Sequence, residues 1–171
     1  CTKIEALDTL LHGGLRPGSL VVIQGDPGTY KTSLLMKAAD NMGALFISTE
    51  HKKRALRKYA KALGTQHNAI GLCSTDMDTL LYTAFYMNAK VVIIDTVDAL
   101  TASEELVAYR LDAFAKLLSA TVIAITRKET SIQHLADVVI TVKIENDAIL
   151  LQTVKNRTGK EMTVKAANPF N

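Results

Sequence analysis

No apolar run in this sequence approaches the roughly 18 residues of a membrane span, and no signal-peptide pattern opens it. The expectation is a cytoplasmic protein with no membrane partner. Cysteine is scarce as well: only Cys1 and Cys73 occur, far apart, and no Cys/His spacing suits zinc, which argues against a disulfide framework and for a reducing compartment. Cys73 lies in a short apolar run and is expected to be a core thiol. A strong excess of one charge is also missing. A net charge of +3 with a pI near 8.8 is compatible with nucleic acid but weaker than a dedicated DNA-binding arm would show. Internal repeats and low-complexity tracts are absent. With 171 residues, 48% hydrophobic and 22% charged, residues 1–171 are expected to form one soluble domain with a sizeable core. The chain opens on Cys1 rather than Met, as expected of a processed or excised piece.

What is present centres on Gly25-Asp26-Pro27-Gly28-Thr29-Tyr30-Lys31-Thr32, between the apolar run Leu20 to Ile23 and a helical pattern beginning at Ser33. The template for a phosphate-binding loop is Gly, four residues, Gly, Lys, then Ser or Thr, placed between a strand and a helix. There, backbone N–H groups of residues 25–33 and the helix N-terminus face phosphate oxygens. Lys31 would neutralise β/γ-phosphate charge, and the Thr32 hydroxyl would hold Mg²⁺. One glycine is missing, because Tyr30 stands where the template has Gly before the Lys. A Tyr there is expected to keep helix-compatible dihedrals and to point its ring away from the phosphates. Two other readings remain open: an ordinary Gly/Pro turn, and a fold that binds nucleotide but hydrolyses it poorly.

Periodicity predicts a lead-in helix on Ile4, Leu7, Leu10 and Leu11 closed by Gly13-Gly14, and a helix from the phosphate loop to Gly43. Buried strands are expected at Ala44–Ser48, Ala69–Cys73, Val91–Asp95 and Thr121–Ile125. Between them, Lys52–Leu63 sets Leu56, Tyr59, Ala60 and Leu63 on one helical face. Lys53, Arg54, Arg57, Lys58 and Lys61 form the other, a solvated surface or a DNA-binding one. Further helices are expected around Met77–Phe85 and from Ser103, as N-cap, the latter burying Leu106, Val107, Leu111, Phe114 and Leu118. Short strands at Val138–Val142, Ala148–Val154 and Glu161–Lys165, separated by turns at Glu145-Asn146-Asp147 and Asn156 to Gly159, complete the pattern. The predicted fold class is α/β: a mostly parallel central sheet flanked by helices, with C-terminal antiparallel strands.

Hydrolysis needs an acid for Mg²⁺ and a group that orients water. Asp95, ending a hydrophobic strand, is the candidate metal carboxylate, with a plain strand-terminal Asp as the alternative. Glu50, just beyond the second strand, would lie near a γ-phosphate if these strands are neighbours. Its competing reading is a helix N-terminal Glu stabilised by the dipole.

These residues resemble the RecA-like P-loop ATPases, most closely the ATPase core of the bacterial DNA-repair family RadA/Sms. The similarity runs over almost the whole chain. Thr2 to Asp8 with Gly13-Gly14-Leu15 and Pro17-Gly18-Ser19 resembles the opening segment, and Gly25 to Gly28 the phosphate loop. Ser48-Thr49-Glu50-His51 is similar to the segment carrying the catalytic glutamate, and Ile93 to Val97 with Ala99-Leu100 to the Walker B strand. Arg127-Lys128-Glu129 resembles a Thr-Lys-Glu element, and Lys155-Asn156-Arg157-Thr158-Gly159 a Lys-Asn-Arg-Phe-Gly signature. The resemblance implies ATP and Mg²⁺ as ligands, with catalytic Lys31, Glu50 and Asp95. It also implies partnership with DNA, single-stranded by preference, and a homo-oligomeric ring or filament with nucleotide at subunit interfaces. Lys155 and Arg157 become candidates for charges supplied to a neighbouring subunit's nucleotide, the alternative being solvated charges on a hairpin. The segments that carry DNA-binding loops in the family, around 100–105 and 128–133, are short here. Three functions follow: a minimal DNA-acting ATPase of recombination, repair or replication, a catalytically weak nucleotide-binding mediator, or a DnaB-type helicase-like core.

Overall fold

A computed structural model describes all residues except His67, Thr158 and Asn171. The strands are β1 (Leu20–Gln24), β2 (Leu45–Ser48), β3 (Ile70–Cys73), β4 (Val91–Asp95), β5 (Thr121–Thr126), β6 (Val138–Glu145), β7 (Ala148–Asn156) and β8 (Thr163–Ala166). They form one sheet in the order β3-β2-β4-β5-β1-β6-β7-β8. Every pairing from β3 to β6 is parallel, and β6-β7-β8 is antiparallel, as the short C-terminal runs predict. The β6–β7 turn places Asn146 at φ 48° and Asp147 at φ 60°. Positive φ at both central residues suits the tight turns whose twist matches the flanking strands.

The helices are α1 (Glu5–Leu10), α2 (Lys31–Met42), α3 (Lys53–Ala62), α4 (Met77–Tyr86), α5 (Glu104–Leu118) and α6 (Ile132–Leu135), with a 3₁₀ turn at Val97–Ala99. Residues of α1, α2 and α3 share one core with Val21, Ile23, Phe46, Ile93 and Ile123. Those of α4, α5 and α6 share the other with Leu20, Val22, Ile47, Ile94 and Val122. The alternation within each strand divides its side chains between the two faces, so a strand buried on both sides reads as a continuous apolar run. Ser103 caps α5 by accepting a hydrogen bond from the Leu106 amide at 3.2 Å. Gly43 closes α2 in the left-handed conformation.

Burial on α5 and at Cys73 differs from what the pattern predicts. Leu106 and Leu118 are exposed because α5 buries a narrower stripe of Val107, Ala108, Leu111 and Ala115, two of them small enough to bring the helix close to the sheet. Phe85 is exposed, since α4 turns Met77, Leu80 and Ala84 inward. Cys73 is exposed rather than a core thiol, because β3 is an edge strand paired only with β2. Among the described residues no helix is long and apolar enough to cross a membrane.

Candidate functional site

β1 delivers the chain into the Gly-rich loop at the C-terminal end of the parallel strands, and α2 leaves from Lys31. Gly25 admits no side chain, because a Cβ there would lie 2.7 Å from the Val142 carbonyl oxygen of the adjoining β6. Gly28 has φ 81° and Tyr30 φ 62°, the left-handed region at alternate positions. Such alternation turns successive N–H groups toward one concavity and makes an anion-binding nest. Tyr30 therefore does not keep the helix-compatible dihedrals expected of it. The template's glycine marks a positive-φ N-cap, and Tyr30 occupies it with its ring edge-on to Phe170, centroids 6.3 Å apart.

A left-handed L-residue costs about 1–2 kcal/mol, and an edge-to-face ring pair contributes about 0.5–1.5 kcal/mol. Tyr30→Ala keeps the first cost and loses the second contribution, whereas Tyr30→Gly relieves the first. In urea unfolding, Tyr30→Gly is expected to be more stable than Tyr30→Ala by about 1 kcal/mol. Equal or reversed stabilities would show that the left-handed backbone is not what residue 30 must satisfy.

The loop borders a cavity of about 440 Å³, whose walls are residues 27–33 with Glu50, His51, Tyr59, Asp95, Thr96, Arg127 and Phe170. Gly25 and Asp26 stand outside this lining, but their carbonyls accept hydrogen bonds from Lys31 Nζ at 2.6 and 2.7 Å. The same ammonium donates to Thr29 Oγ1 at 3.2 Å. Burial lowers the Lys31 pKa, partly offset by the Asp95 carboxylate and reinforced by the Arg127 charge.

β2 and β4 are neighbours, with Ser48 opposite Asp95, which brings Glu50 to the rim above Asp95. Thr49 fastens these two strand ends. Its amide donates to the Asp95 carbonyl, its hydroxyl donates to the Thr96 carbonyl, and the same hydroxyl accepts from the Thr96 amide, each at 2.8 Å. Thr32 Oγ1 donates to Asp95 Oδ2 at 2.6 Å. Burial raises the Asp95 pKa above the usual carboxylate range; the Thr32 hydrogen bond opposes this and Glu50 adds to it. A hydroxyl and a carboxylate in contact beside Lys31 are hard oxygen donors of the kind Mg²⁺ takes together with substrate phosphates. Among the described residues there is no separate cluster of three His, Cys, Asp or Glu suited to a metal.

Lys155 and Arg157 are not brought to this cavity. Lys155 Nζ donates to the Gln133 and His134 carbonyls at 3.0 and 2.9 Å, and Arg157 pairs with Asp137 at 3.7 Å. Burial lowers the Lys155 pKa, and the Arg157 charge adds to that. Thr158, which stands where the signature has Phe, lies outside the described residues. Segments 100–105 and 128–133 meet each other: Leu100, Ala102, Glu104, Lys128, Thr130 and Ile132 line a small cleft beside the main cavity. The basic residues of α3 are exposed, as a solvated or nucleic-acid-facing surface requires.

Sequence reasoning gave no site role to Phe170, placed Arg127 and His51 only within segments that carry the resemblance, and set Tyr59 on the apolar face of α3, where it is instead exposed and lines the cavity. For Arg127 a signal existed, since it closely follows the predicted strand Thr121–Ile125, which the structure pairs with β4 so that Ile125 lies opposite Asp95. Phe170 had none: its ring contacts with Tyr30 and Tyr59 join residues far apart in the chain.

Fold and cavity together define an α/β protein with a Gly-rich strand-to-helix turn and a Thr32–Asp95 hydroxyl–carboxylate pair beside it. The chain belongs to DUF7125, a family of unknown function whose model matches residues 1–165. It is also similar to curated proteins described as DNA repair protein RadA. The Mycobacterium tuberculosis protein is 29% identical over 187 residues, covering 92% of this chain and 39% of the relative. The Pseudomonas aeruginosa and Aquifex aeolicus proteins are each 28% identical over 185 residues, covering 92% of this chain and 41% of theirs. The chain thus spans about two fifths of the length of these relatives, and the relationship is a distant one.

Proposed function

We propose that this chain is a RecA-like nucleotide-binding core of one domain that hydrolyses ATP and acts on DNA in recombination, repair or replication. The observation that carries the reading is the convergence of Lys31, the Thr32–Asp95 pair and Glu50 on one cavity at the C-terminal ends of parallel strands. Backbone N–H groups of the 25–33 loop receive phosphate oxygens, and Lys31 exchanges its carbonyl partners for β/γ-phosphate oxygens. Thr32 and Asp95 are the residues that would hold Mg²⁺, which when bound neutralises charge on the phosphates. Glu50 orients a water toward the γ-phosphorus and accepts its proton as the bond to the ADP oxygen breaks. The DNA component rests on the name of the similar RadA proteins and on the exposed basic face of α3. Single-stranded DNA is the proposed ligand, and a ring or filament the proposed assembly, in which Lys155 and Arg157 would serve a neighbour's nucleotide.

A second reading, a weakly hydrolysing nucleotide-binding mediator, is favoured by Tyr30 in the position where the loop template has glycine. Phosphate release measured with and without single-stranded DNA separates the two. DNA-stimulated turnover is expected for the ATPase, and nucleotide binding with negligible turnover in both conditions would leave the mediator. Sedimentation velocity with a non-hydrolysable ATP analogue and DNA tests assembly: a chain that stays monomeric at every concentration while hydrolysing ATP normally would remove Lys155 and Arg157 from the site.

A further inference from the structure

Arg127 follows β5, and β5 lies between β4 and the loop-bearing β1. Its amide donates to Asp98 Oδ2 at 2.8 Å, which fastens the main chain to the 3₁₀ turn after β4. The side chain is far less constrained, with 47% of it exposed. It reaches past the end of β4 to Glu50, where Nη2 meets Oε1 at 2.5 Å. The pair lines the same cavity as Lys31 and Thr32, and the Arg127 charge is felt at the Lys31 ammonium. Two cations therefore face one cavity, and one of them is occupied by the carboxylate proposed as the general base.

We propose that Arg127 binds the terminal phosphate of a nucleoside triphosphate within its own subunit, exchanging Glu50 for that phosphate and thereby releasing Glu50 to orient water. This rests on the nucleotide-binding reading above and extends it to how the site distinguishes triphosphate from diphosphate. A guanidinium fork matches phosphate oxygens as well as it matches a carboxylate, and a terminal phosphate carries more charge than Glu50 does. While Arg127 Nη2 engages Glu50 Oε1, that oxygen is committed to the guanidinium and not to a water. The exchange thus makes the base available only when a third phosphate is present. A diphosphate seated on the loop leaves the pair intact.

Isothermal titration with Mg-ADP and with a non-hydrolysable Mg-ATP analogue tests this on the parent, Arg127→Gln, Glu50→Gln and the double variant, with thermal melts to show that each is folded. Arg127→Gln is expected to weaken the triphosphate analogue by about tenfold or more, the size of one lost charge-assisted contact, with ADP changed less than about twofold. Glu50→Gln is expected to tighten the analogue, because Arg127 then has no competing carboxylate. In the double variant that gain should shrink to within about twofold, since it runs through Arg127. Arg127→Lys, which keeps charge but not the fork, should fall between parent and Gln. Equal loss of both nucleotides in Arg127→Gln, no loss of either, or a Glu50→Gln gain that persists without Arg127 would overturn the proposal while leaving the nucleotide site standing. A parent that binds neither nucleotide overturns both.

Discussion

Lys31→Met is expected to weaken Mg-ATP binding by about 10²–10⁴-fold, as two charge-assisted hydrogen bonds of roughly 1.5–3 kcal/mol each would dictate. Methionine retains the buried hydrocarbon stem and removes only the ammonium, which the loop surrounds with the Gly25 and Asp26 carbonyls and the Thr29 hydroxyl. Lys31→Ala should lose binding at least as severely, and it also vacates the space beside Gly25, where a Cβ would lie 3.3 Å from Lys31 Cδ. Calorimetric titration of both variants checks this against the parent. An affinity unchanged in Lys31→Met would place the phosphates elsewhere, and the cavity at the strand ends would need another ligand.

Glu50→Gln should separate binding from chemistry. The amide is nearly the size of the carboxylate and keeps a carbonyl oxygen, but it cannot take a proton from water. Turnover is expected to fall by the roughly 10²–10⁴ associated with a general acid–base group, while nucleotide still binds. Steady-state and single-turnover phosphate release, run on both proteins at saturating nucleotide, measure the two quantities independently. Equal turnover would return Glu50 to the role of a dipole-stabilising acid ahead of α3, held by Arg127 for structural reasons alone. The geometry already separates Glu50 from Asp95. Asp95 is deeply buried and committed to Thr32, whereas Glu50 sits at the rim within reach of solvent.

Much of this arrangement was legible because it depends on local pattern. Continuous apolar runs ending in Asp95 and Ser48 read directly as strands buried on both faces, and the Gly-Pro-Gly loop before a helical period marked where the chain turns. The β6–β7 hairpin followed from Glu145-Asn146-Asp147. What was not legible depends on packing between distant segments. Whether Cys73 is inside depends on β3 being an edge, which no property of its own run reveals. The stripe that α5 buries depends on how closely its alanines let it approach the sheet, so Leu106 and Leu118 were placed on the wrong side. Tyr30 was misjudged for a different reason: the template records that glycine is usual there, but the left-handed dihedral that makes it usual appears only in the folded loop. Arg127 belongs to both categories, with its place just after a predicted strand readable and its partner readable only from the fold.

The strand order also sets a timetable for synthesis. β1 leads into the Gly-rich loop and precedes β5 by roughly a hundred residues, yet its neighbours are β5 and β6. At ribosomal rates of about 5–20 residues per second, the stretch of roughly a hundred residues between β1 and β5 takes about 5–20 s to emerge. Throughout that interval Leu20 to Gln24 have no partner in the sheet, and Gly25 has not met the Val142 carbonyl that fixes its path. Pairings so distant in sequence close slowly even after release, because loop entropy is lost before the contacts form. The Gly-rich loop is therefore made well before the strands that give it its shape. A nascent chain stalled before residue 121 would carry the whole Gly-rich loop sequence without either of the strands that flank β1.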